Sequence, residues 1–298
     1  MEESIKLFSK IIQHIRQQLN YSQAIVSEHT GVSPGTLRGL ENGKVMPKLD
    51  TLKLLSNLYK CNLIETYASC LIENYEALLE TYNRIEAKIA LQKFDQLDNE
   101  IYQLELLQQQ SSSNYFTTQI EQRIVFLTAV INKEVKRQPR RALNKLVKAI
   151  KWTTPEFSSI AYRDLYYSDL EKRLLMTIGL LDAFNEKKWY ISDLLYFIYK
   201  TTTSPSILHI KACYHLALDH LKFNRYQDAL QYITEGKEQA RLQNELYSLS
   251  YFGLAEAKLA YQSADKDWRS QVEQVNQIRS YFGLHRVCIA SDALPIFY

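Results

Sequence analysis

The chain has 298 residues, a net charge of +3 and a hydrophobic fraction of 46%, values that are ordinary for a globular protein and argue against disorder. It has only 8 glycines and 6 prolines, and leucine, alanine, glutamine, lysine and glutamate recur at helical spacing along nearly all of it. The sequence therefore predicts an all-α fold. No apolar run has the length of a signal peptide or a membrane span, so we expect a cytoplasmic protein with no membrane partner.

Metal, cofactor and catalytic signatures are not expected. The cysteines at positions 61, 70, 213 and 288 are scattered without a CxxC pair, which favours reduced thiols over a zinc site or a disulfide framework. His215 and His220 are not on one helical face at ligand spacing, and no phosphate-binding glycine loop occurs. We predict that the protein is not an enzyme and that it needs no cofactor.

Charge is unevenly distributed. Residues 133–151 contain 8 basic side chains and one acid, Glu134. This block is suited to contact phosphates or another anionic ligand, although the solvated faces of two neighbouring helices explain it equally well.

The first 60 residues predict four helices. Apolar residues of the segment 4–20 recur at the spacing of one amphipathic stripe, and a fourth helix follows Pro47 and closes near Tyr59. Between them, Ser22 is a predicted N-cap of the second helix, which ends where Gly31 turns the chain.

The third helix is predicted from Ser33, its N-cap, and Pro34, its first helical residue, and it stops at Gly43. Gly31 and Gly43 are thus explained as helix ends. Gly35 and Gly39 lie inside the helix, where each glycine costs roughly 0.5–1 kcal/mol relative to alanine.

The remainder predicts an acidic helical connector and then helix pairs separated by short polar breaks. The best pair, 207–241, has small residues at Ala217, Ala229 and Gly236, at separations similar to the close-contact positions of a tetratricopeptide repeat. A second pair, 244–262 and 266–283, follows at a comparable interval, which favours a stack of helical hairpins. The predicted organisation is a DNA-binding helix-turn-helix domain at 1–66, a connector helix at 67–92, a helical-repeat regulatory and dimerisation domain at 93–288, and a tail at 289–298.

Residues 8–60 resemble the helix-turn-helix of the lambdoid and Xre-type repressors. The resemblance rests on Arg16 in the first helix, Ser22-Gln23 at the start of the second, Gly31-Val32-Ser33 in the turn, and the motif LENGK at 40–44. It implies a lambda-repressor-like domain in which Arg16 and Glu41 form a structural ion pair. It also implies a DNA-facing surface that comprises Gln23, Ser33, Pro34, Gly35, Thr36, Arg38, Gly39, Asn42, Lys44 and Lys48.

The sequence departs from that family at Pro34, Gly35 and Gly39, where the phage repressors carry polar side chains that read base edges. Gly35 and Gly39 lie one helical turn apart, so their missing side chains either let the backbone approach DNA or allow a tight helix contact. Arg38 is then the best candidate for a base or phosphate contact. Gln23, in the first turn of the second helix, is expected to contact a phosphate.

The layout of a small repressor-like head on a long helical-repeat body resembles the Rgg/MutR regulators and, more loosely, the wider group of peptide-sensing regulators that includes PlcR and ComR. The segment LLDAFNEKKWYISDLLYF, 180–197, resembles the helix–Trp–helix stretch of Rgg-type bodies. The resemblance implies a homodimer that binds double-stranded promoter DNA and receives a short signalling peptide in its body. RNA polymerase is a further expected partner.

The candidate peptide-binding residues are Tyr214, Asn224, Asn244 and Tyr251. Tyrosine offers a large contact area with a hydrogen-bonding tip, and twelve tyrosines fall between positions 162 and 261. Core packing explains most tyrosines of helical repeats equally well, and polar loop residues explain the two asparagines.

An alternative function remains open. A helical-repeat adaptor that acts by protein–protein contact, as Rap-type peptide receptors do, would need no base-reading side chains, which fits Pro34, Gly35 and Gly39. The tail SDALPIFY has no evident place in a repeat, and its SDALPI resembles a translated sequencing adapter, which indicates that residues after about 288 are of doubtful origin.

Overall fold

The computed structural model describes residues 2–71, 74–110, 114–158, 160–182, 191–203, 206–289 and 294–298. The secondary structure in these ranges is helical, with no strand, which confirms the all-α prediction. None of the helices in these ranges is long and apolar enough to cross a membrane. The four cysteines are free thiols.

Two compact units make up the described chain. The first holds residues up to Glu80 together with Gln109 and Gln110, and the second holds Thr81–Gln108 and the described residues from Asn114 to Tyr298. The helices as far as the boundary are α1 (Glu2–Gln18), α2 (Gln23–Thr30), α3 (Pro34–Glu41), α4 (Leu49–Tyr59), α5 (Leu63–Leu71) and α6 (Tyr75–Ala90). Those that follow are α7 (Leu97–Gln110), α8 (Asn114–Glu134), α9 (Pro139–Ile150), α10 (Asp169–Asp182), α11 (Ile191–Thr201), α12 (Ile207–Lys222), α13 (Tyr226–Leu242), α14 (Leu246–Gln262) and α15 (Trp268–Tyr281).

Local capping sets the limits of α2 and α3. The Ser22 hydroxyl accepts a hydrogen bond from the Ile25 amide, and Gly31, at φ +72°, closes α2 in the left-handed conformation. Ser33 caps α3 in the same way, with Pro34 at the first helical position.

The end of α3 forms a Schellman motif around Gly43. Gly43 has φ +65°, its amide donates to the Leu40 carbonyl at 3.1 Å, and the Lys44 amide donates to the Gly39 carbonyl at 2.9 Å. The last helical residue is therefore Glu41, two residues before the glycine at which the helix was predicted to stop.

The first unit has its own apolar core, which includes α5. Leu63 is fully buried with Phe8 and Leu37, and the ring of Tyr67 packs edge-on against Phe8 at 4.9 Å between centroids. The prediction of one connector helix over 67–92 is therefore wrong: α5 packs into the first unit, and α6 starts as a separate helix after Asn74. Asn74 has φ +58°, a left-handed conformation that asparagine tolerates and that a continuous helix does not contain.

In the second unit, α13 is joined to α12 and to α14 by three-residue turns. Asn224 and Asn244 occupy these turns at φ +55° and +57°, and α12–α15 lie close to the predicted ranges. A Cβ on Gly236 would lie 2.1 Å from Cζ of Phe252, so α13 and α14 approach each other as closely as they do only because position 236 has no side chain.

Two further predictions concern the segment 180–197 and the last residues of the chain. The helix–Trp–helix segment 180–197 contributes to α10 and α11, but residues 183–190, with Trp189, lie outside the described residues. The last residues have a place that no repeat pattern predicted: Phe297 is 3% exposed and Tyr298 is 1% exposed, both within the second unit.

Candidate nucleic-acid interface

The residues at the start of α3 have short side chains, and one of them is the N-cap of the helix. Ser33, Pro34 and Gly35 are exposed, and Thr36 is half-buried. The Ser33 Oγ accepts from the Thr36 amide at 3.1 Å and lies 2.9 Å from Thr36 Oγ1, so both hydroxyls are engaged within this turn. The turn therefore offers backbone and short side chains to an approaching surface.

The two interior glycines of α3 have different surroundings. A Cβ on Gly35 would meet only the Ser33 Oγ at 3.9 Å, so position 35 faces open space. A Cβ on Gly39 would lie 2.6 Å from Cγ2 of Val45, so position 39 faces the loop that follows α3. Packing against Val45 is therefore the reason for glycine at 39, whereas no neighbour in the described chain crowds position 35.

A buried carboxylate joins α1, α2 and α3. Arg16 Nε donates to Glu41 Oε1 at 2.6 Å and Arg16 Nη2 to Oε2 at 2.8 Å, while Arg16 Nη1 donates to the Tyr21 carbonyl at 2.7 Å. The hydrogen bond that Arg16 donates to Glu41 raises the pKa of Arg16, and burial partly opposes this shift. The network fixes the orientation of α3 relative to α1.

Gln23 belongs to the same network. Its Nε2 donates to Glu41 Oε2 at 2.9 Å, and the residue is half-buried. The sequence assigned Gln23 to a phosphate, whereas here its amide nitrogen is directed at the carboxylate. The partner of Gln23 was missed because the sequence separation of 18 residues gives no local signal.

Three cations near α3 are exposed. Arg38 lies on α3, and Lys44 and Lys48 lie in the loop between α3 and α4, close to the exposed Asn42. Within the part of the chain that the structure describes, the side chains of Arg38, Lys44 and Lys48 take part in no hydrogen bond or ion pair. Their positive charge is available to a polyanion.

Comparison with known families decides the nature of the first unit, because residues 12–65 match the family described as Helix-turn-helix. Residues 12–65 are a helix-turn-helix domain of the Xre type. The matched range contains α2, α3 and α4, and it includes the Arg16–Glu41 pair and the exposed cations. No curated protein matches the chain.

One solved structure extends the likeness beyond the first unit. The crystal structure of Bacillus thuringiensis PlcR in complex with the peptide PapR7 and DNA aligns with 93% of this chain and 94% of that one, with a TM-score of 0.68 at 15% identity. Apo structures of ComR from Streptococcus vestibularis and S. thermophilus align at TM-scores of 0.43, with 13% and 14% identity over 95% and 94% of this chain and 99% and 95% of theirs. The fold is therefore similar to that of PlcR.

The body brings together two of the four candidate peptide-binding residues. The rings of Tyr214 and Tyr251 meet edge-on at 5.4 Å between centroids, and both side chains are buried. Asn224 and Asn244 instead occupy the positive-φ turns, and Asn224 Oδ1 accepts from the Tyr226 hydroxyl at 3.0 Å. The turn geometry explains both asparagines without a ligand.

Other residues around the two tyrosines carried no signal in the sequence. Arg173, Lys211, Tyr214, His215 and Tyr251 are buried side chains of the second unit. Gln92 donates to the Tyr251 hydroxyl at 3.2 Å, across 159 residues of sequence. Burial lowers the pKa of His215 to about 4, a shift that the hydrogen bond to the Phe297 carbonyl partly offsets. The sequence gives one local indication that these side chains lie together. Lys211 and His215 are four residues apart, which places them one turn apart on α12.

A second polar cluster lies between α12 and α13. The donor atoms of His209, Cys213 and Glu235 lie within 4.8 Å of one another, a set that suits a transition metal. His209 Nε2 is 2.8 Å from Glu235 Oε1, and the Tyr199 hydroxyl donates to the same carboxylate at 2.9 Å. Burial raises the pKa of the Cys213 thiol, and Glu235 raises it further, so the thiol stays protonated. Hydrogen bonding within the cluster accounts for this arrangement.

Proposed function

We propose that the chain is a DNA-binding transcriptional regulator whose affinity for promoter DNA is controlled by a short peptide bound to the helical body. The observation that carries the DNA-binding part is the set of exposed cations Arg38, Lys44 and Lys48 on a helix-turn-helix domain held by the buried Glu41 network. The control by peptide is supported by the PlcR fold, because PlcR was solved with a peptide and DNA bound.

Backbone contacts dominate the proposed DNA complex. The first turn of α3 offers the exposed Pro34 and Gly35 and the capped Ser33, none of which has a long polar side chain. Arg38 is the long polar side chain of α3 nearest that turn, so it supplies base or phosphate contacts while DNA shape supplies the remaining preference. Asn42, Lys44 and Lys48 contact phosphates.

The active form is a homodimer in this proposal. One head covers little DNA, and dimeric helix-turn-helix proteins bind two half-sites about one helical turn apart. The body supplies the dimer contacts and the peptide site, and RNA polymerase is the partner through which binding changes transcription.

The decisive experiment selects genomic fragments with the purified chain and then measures affinity for the enriched promoter by fluorescence anisotropy. We expect enrichment of one or a few promoters and a fall in affinity with salt at a log–log slope of about 0.9 per neutralised phosphate. Arg38→Ala should weaken binding by roughly tenfold or more and reduce discrimination between the selected site and a scrambled one, because a good base pair contact is worth about 1–3 kcal/mol.

The control is Lys10→Ala, which removes an exposed cation of α1, outside α2, α3 and the following loop. It should change promoter affinity much less than Arg38→Ala does. Equal effects of the two variants, or no effect of Arg38→Ala, would remove the assigned role of Arg38.

The exposed Pro34 and Gly35 also support a second candidate function, an adaptor whose head no longer reads DNA and whose body binds proteins. Selection would separate the two. An adaptor would enrich no promoter and would show the same weak, salt-sensitive affinity for every duplex.

A further inference from the structure

Three side chains with metal-binding chemistry meet on two paired helices of the second unit. His209 and Cys213 lie one turn apart on the same face of α12, and Glu235 comes from α13. One nitrogen, one sulfur and one carboxylate oxygen lie within 4.8 Å of one another. Donor atoms bound to a single zinc ion at about 2.0–2.3 Å are at most about 4.6 Å apart, so small side-chain rotations complete the coordination.

Hydrogen bonds account for the arrangement of only two of these three donors. His209 Nε2 lies 2.8 Å from Glu235 Oε1, while His209 Nδ1 is buried without a hydrogen-bond partner in the part of the chain that the structure describes. The thiol of Cys213 is fully buried beside this pair and takes no part in the bond between them. A metal ion gives the thiol a partner and unites all three donors.

The cluster is buried on one side and accessible on the other. His209 and Cys213 are buried, whereas the side chain of Glu235 is 30% exposed. An ion can therefore reach the carboxylate from solvent. A water molecule can complete a four-coordinate shell from the same side, as it does in zinc sites with three protein ligands.

Tyr199 of α11 positions the carboxylate. Its hydroxyl donates to Glu235 at 2.9 Å from Oε2 and 3.1 Å from Oε1, and its ring lies against His209 at 4.8 Å between centroids. Hydrogen bonds of this kind hold the ligating carboxylates of metal sites in place. Tyr199 therefore connects a third helix to the cluster.

The charge of the donor set matches a divalent ion. One thiolate, one carboxylate and a neutral imidazole carry two negative charges, so a dication leaves the buried cluster neutral. Sulfur and imidazole donors favour zinc over magnesium and calcium, which prefer oxygen ligands. Without a cation the thiol keeps its proton. On coordination the proton passes to water, because the metal supplies the counter-charge that the buried site lacks.

We propose that His209, Cys213 and Glu235 bind one Zn²⁺ ion, with water as the fourth ligand and with Tyr199 as a positioning residue. The sequence predicted no zinc site because Glu235 lies 26 residues from His209, without a local pattern. The ion links α12 to α13 and, through Tyr199, to α11, so zinc stabilises this part of the second unit. Zinc binding at this place requires neither DNA nor a signalling peptide.

Cobalt tests the site because Co²⁺ accepts the ligands of zinc and its absorption spectrum reports a bound thiolate. The full chain, without a histidine tag, is reduced, freed of metal by dialysis against a chelator, and titrated with Co²⁺ and then with Zn²⁺. We expect a thiolate-to-cobalt charge-transfer band that saturates at one ion per chain and disappears when zinc displaces cobalt. Zinc should also raise the melting temperature of the chain, whereas Mg²⁺ and Ca²⁺ should not.

Variants of the four residues distinguish ligands from the positioning residue. Cys213→Ser should abolish the charge-transfer band, and Glu235→Gln should lower cobalt affinity roughly tenfold or more. Tyr199→Phe removes only the hydroxyl, so it should keep the band and lower the affinity by roughly 10–100-fold, the usual effect of losing an outer hydrogen bond.

The matched control is His220→Gln. His220 and Asp228 form a second histidine–carboxylate pair across α12 and α13, with 3.5 Å between Nδ1 and Oδ2, and in the described chain no cysteine joins it in a cluster of three. This variant should leave the band and the cobalt affinity unchanged. Cys61→Ser, which removes a thiol of the first unit, should also leave them unchanged.

Circular dichroism verifies that each variant is folded. If Cys213→Ser does not fold, Glu235→Gln decides, because its side chain is partly exposed and the substitution keeps its size. Absence of the band in the reduced, unaltered chain, an equal band in folded Cys213→Ser, or unchanged affinity of folded Glu235→Gln would overturn the proposal. Equal losses of affinity in His220→Gln and Glu235→Gln would also overturn it, since they would indicate binding without a defined site.

Discussion

At the scale of single residues, Glu41 connects three helices of the first unit through its hydrogen bonds. It is 7% exposed, and its two oxygens accept from Arg16 of α1 and from Gln23 of α2. Glu41→Gln keeps the size of the side chain but leaves the largely covered Arg16 guanidinium, 13% exposed, without a counter-charge. We expect the first unit to lose about 3 kcal/mol of unfolding free energy, because breaking a buried pair costs more than the pair contributes.

Urea unfolding followed by circular dichroism measures this loss. Replacing both partners, Arg16→Met with Glu41→Leu, should recover a large part of it, since two apolar side chains leave no unpaired charge at the site. An unfolding midpoint of Glu41→Gln equal to that of the unchanged chain would contradict this account.

At the scale of the element, α3 offers a matched pair of glycines. Gly35→Ala adds a methyl group in open space and should stabilise the first unit by about 0.5–1 kcal/mol, the difference in helix propensity. Gly39→Ala gains the same propensity but places Cβ 2.6 Å from Val45, so we expect no gain or a net loss of about 1 kcal/mol. Thermal unfolding of the two variants gives the comparison.

Promoter affinity separates packing from DNA contact at the same two positions. If α3 approaches DNA through Gly35, Gly35→Ala should weaken binding although the domain is more stable. If Gly35→Ala is more stable and binds the promoter with unchanged affinity, the absence of a side chain at position 35 is unrelated to DNA binding.

At the scale of the whole molecule, burial of His215 makes the second unit sensitive to acid. The pKa of His215 is lowered to about 4 from 6.5, first by burial and then by the nearby Lys222, Lys133 and Lys211, against the hydrogen bond to Phe297. Between pH 6.5 and 4 the unfolded chain takes up a proton that the folded chain refuses. Stability therefore falls as pH falls through this window, by about 2 kcal/mol between pH 7 and pH 5.

Urea unfolding at pH 7 and pH 5 tests this prediction, with His215→Gln as the comparison. Glutamine keeps an amide donor for the Phe297 carbonyl and does not titrate, so the variant should lose less stability over the same interval. The pKa of Lys211 is lowered to about 7, chiefly by burial, so Lys211 acts mainly above pH 7 and leaves this window to His215. Equal pH dependence of both chains would contradict the assignment.

Local chemistry made the helices predictable from the sequence. Ser22, Gly31 and Ser33 act on amides and turns within four residues of themselves, so their capping roles are visible in the sequence. The hairpins of α12–α15 were predictable for the same reason, because small residues and polar turns recur at fixed intervals. The family resemblance of the first unit rested on equally local motifs.

Only the tertiary structure decided which distant residues meet. Nothing in the spacing of Gln92 and Tyr251, or of Glu86 and Arg173, indicates a contact, because such pairs are brought together by the packing of whole helices. Gly35 and Gly39 are equivalent in the sequence pattern. In the structure they differ, because Val45 packs against position 39 and not against position 35. The burial of Phe297 and Tyr298 was likewise invisible, since a short apolar segment has no periodicity and its contacts are with residues distant in sequence.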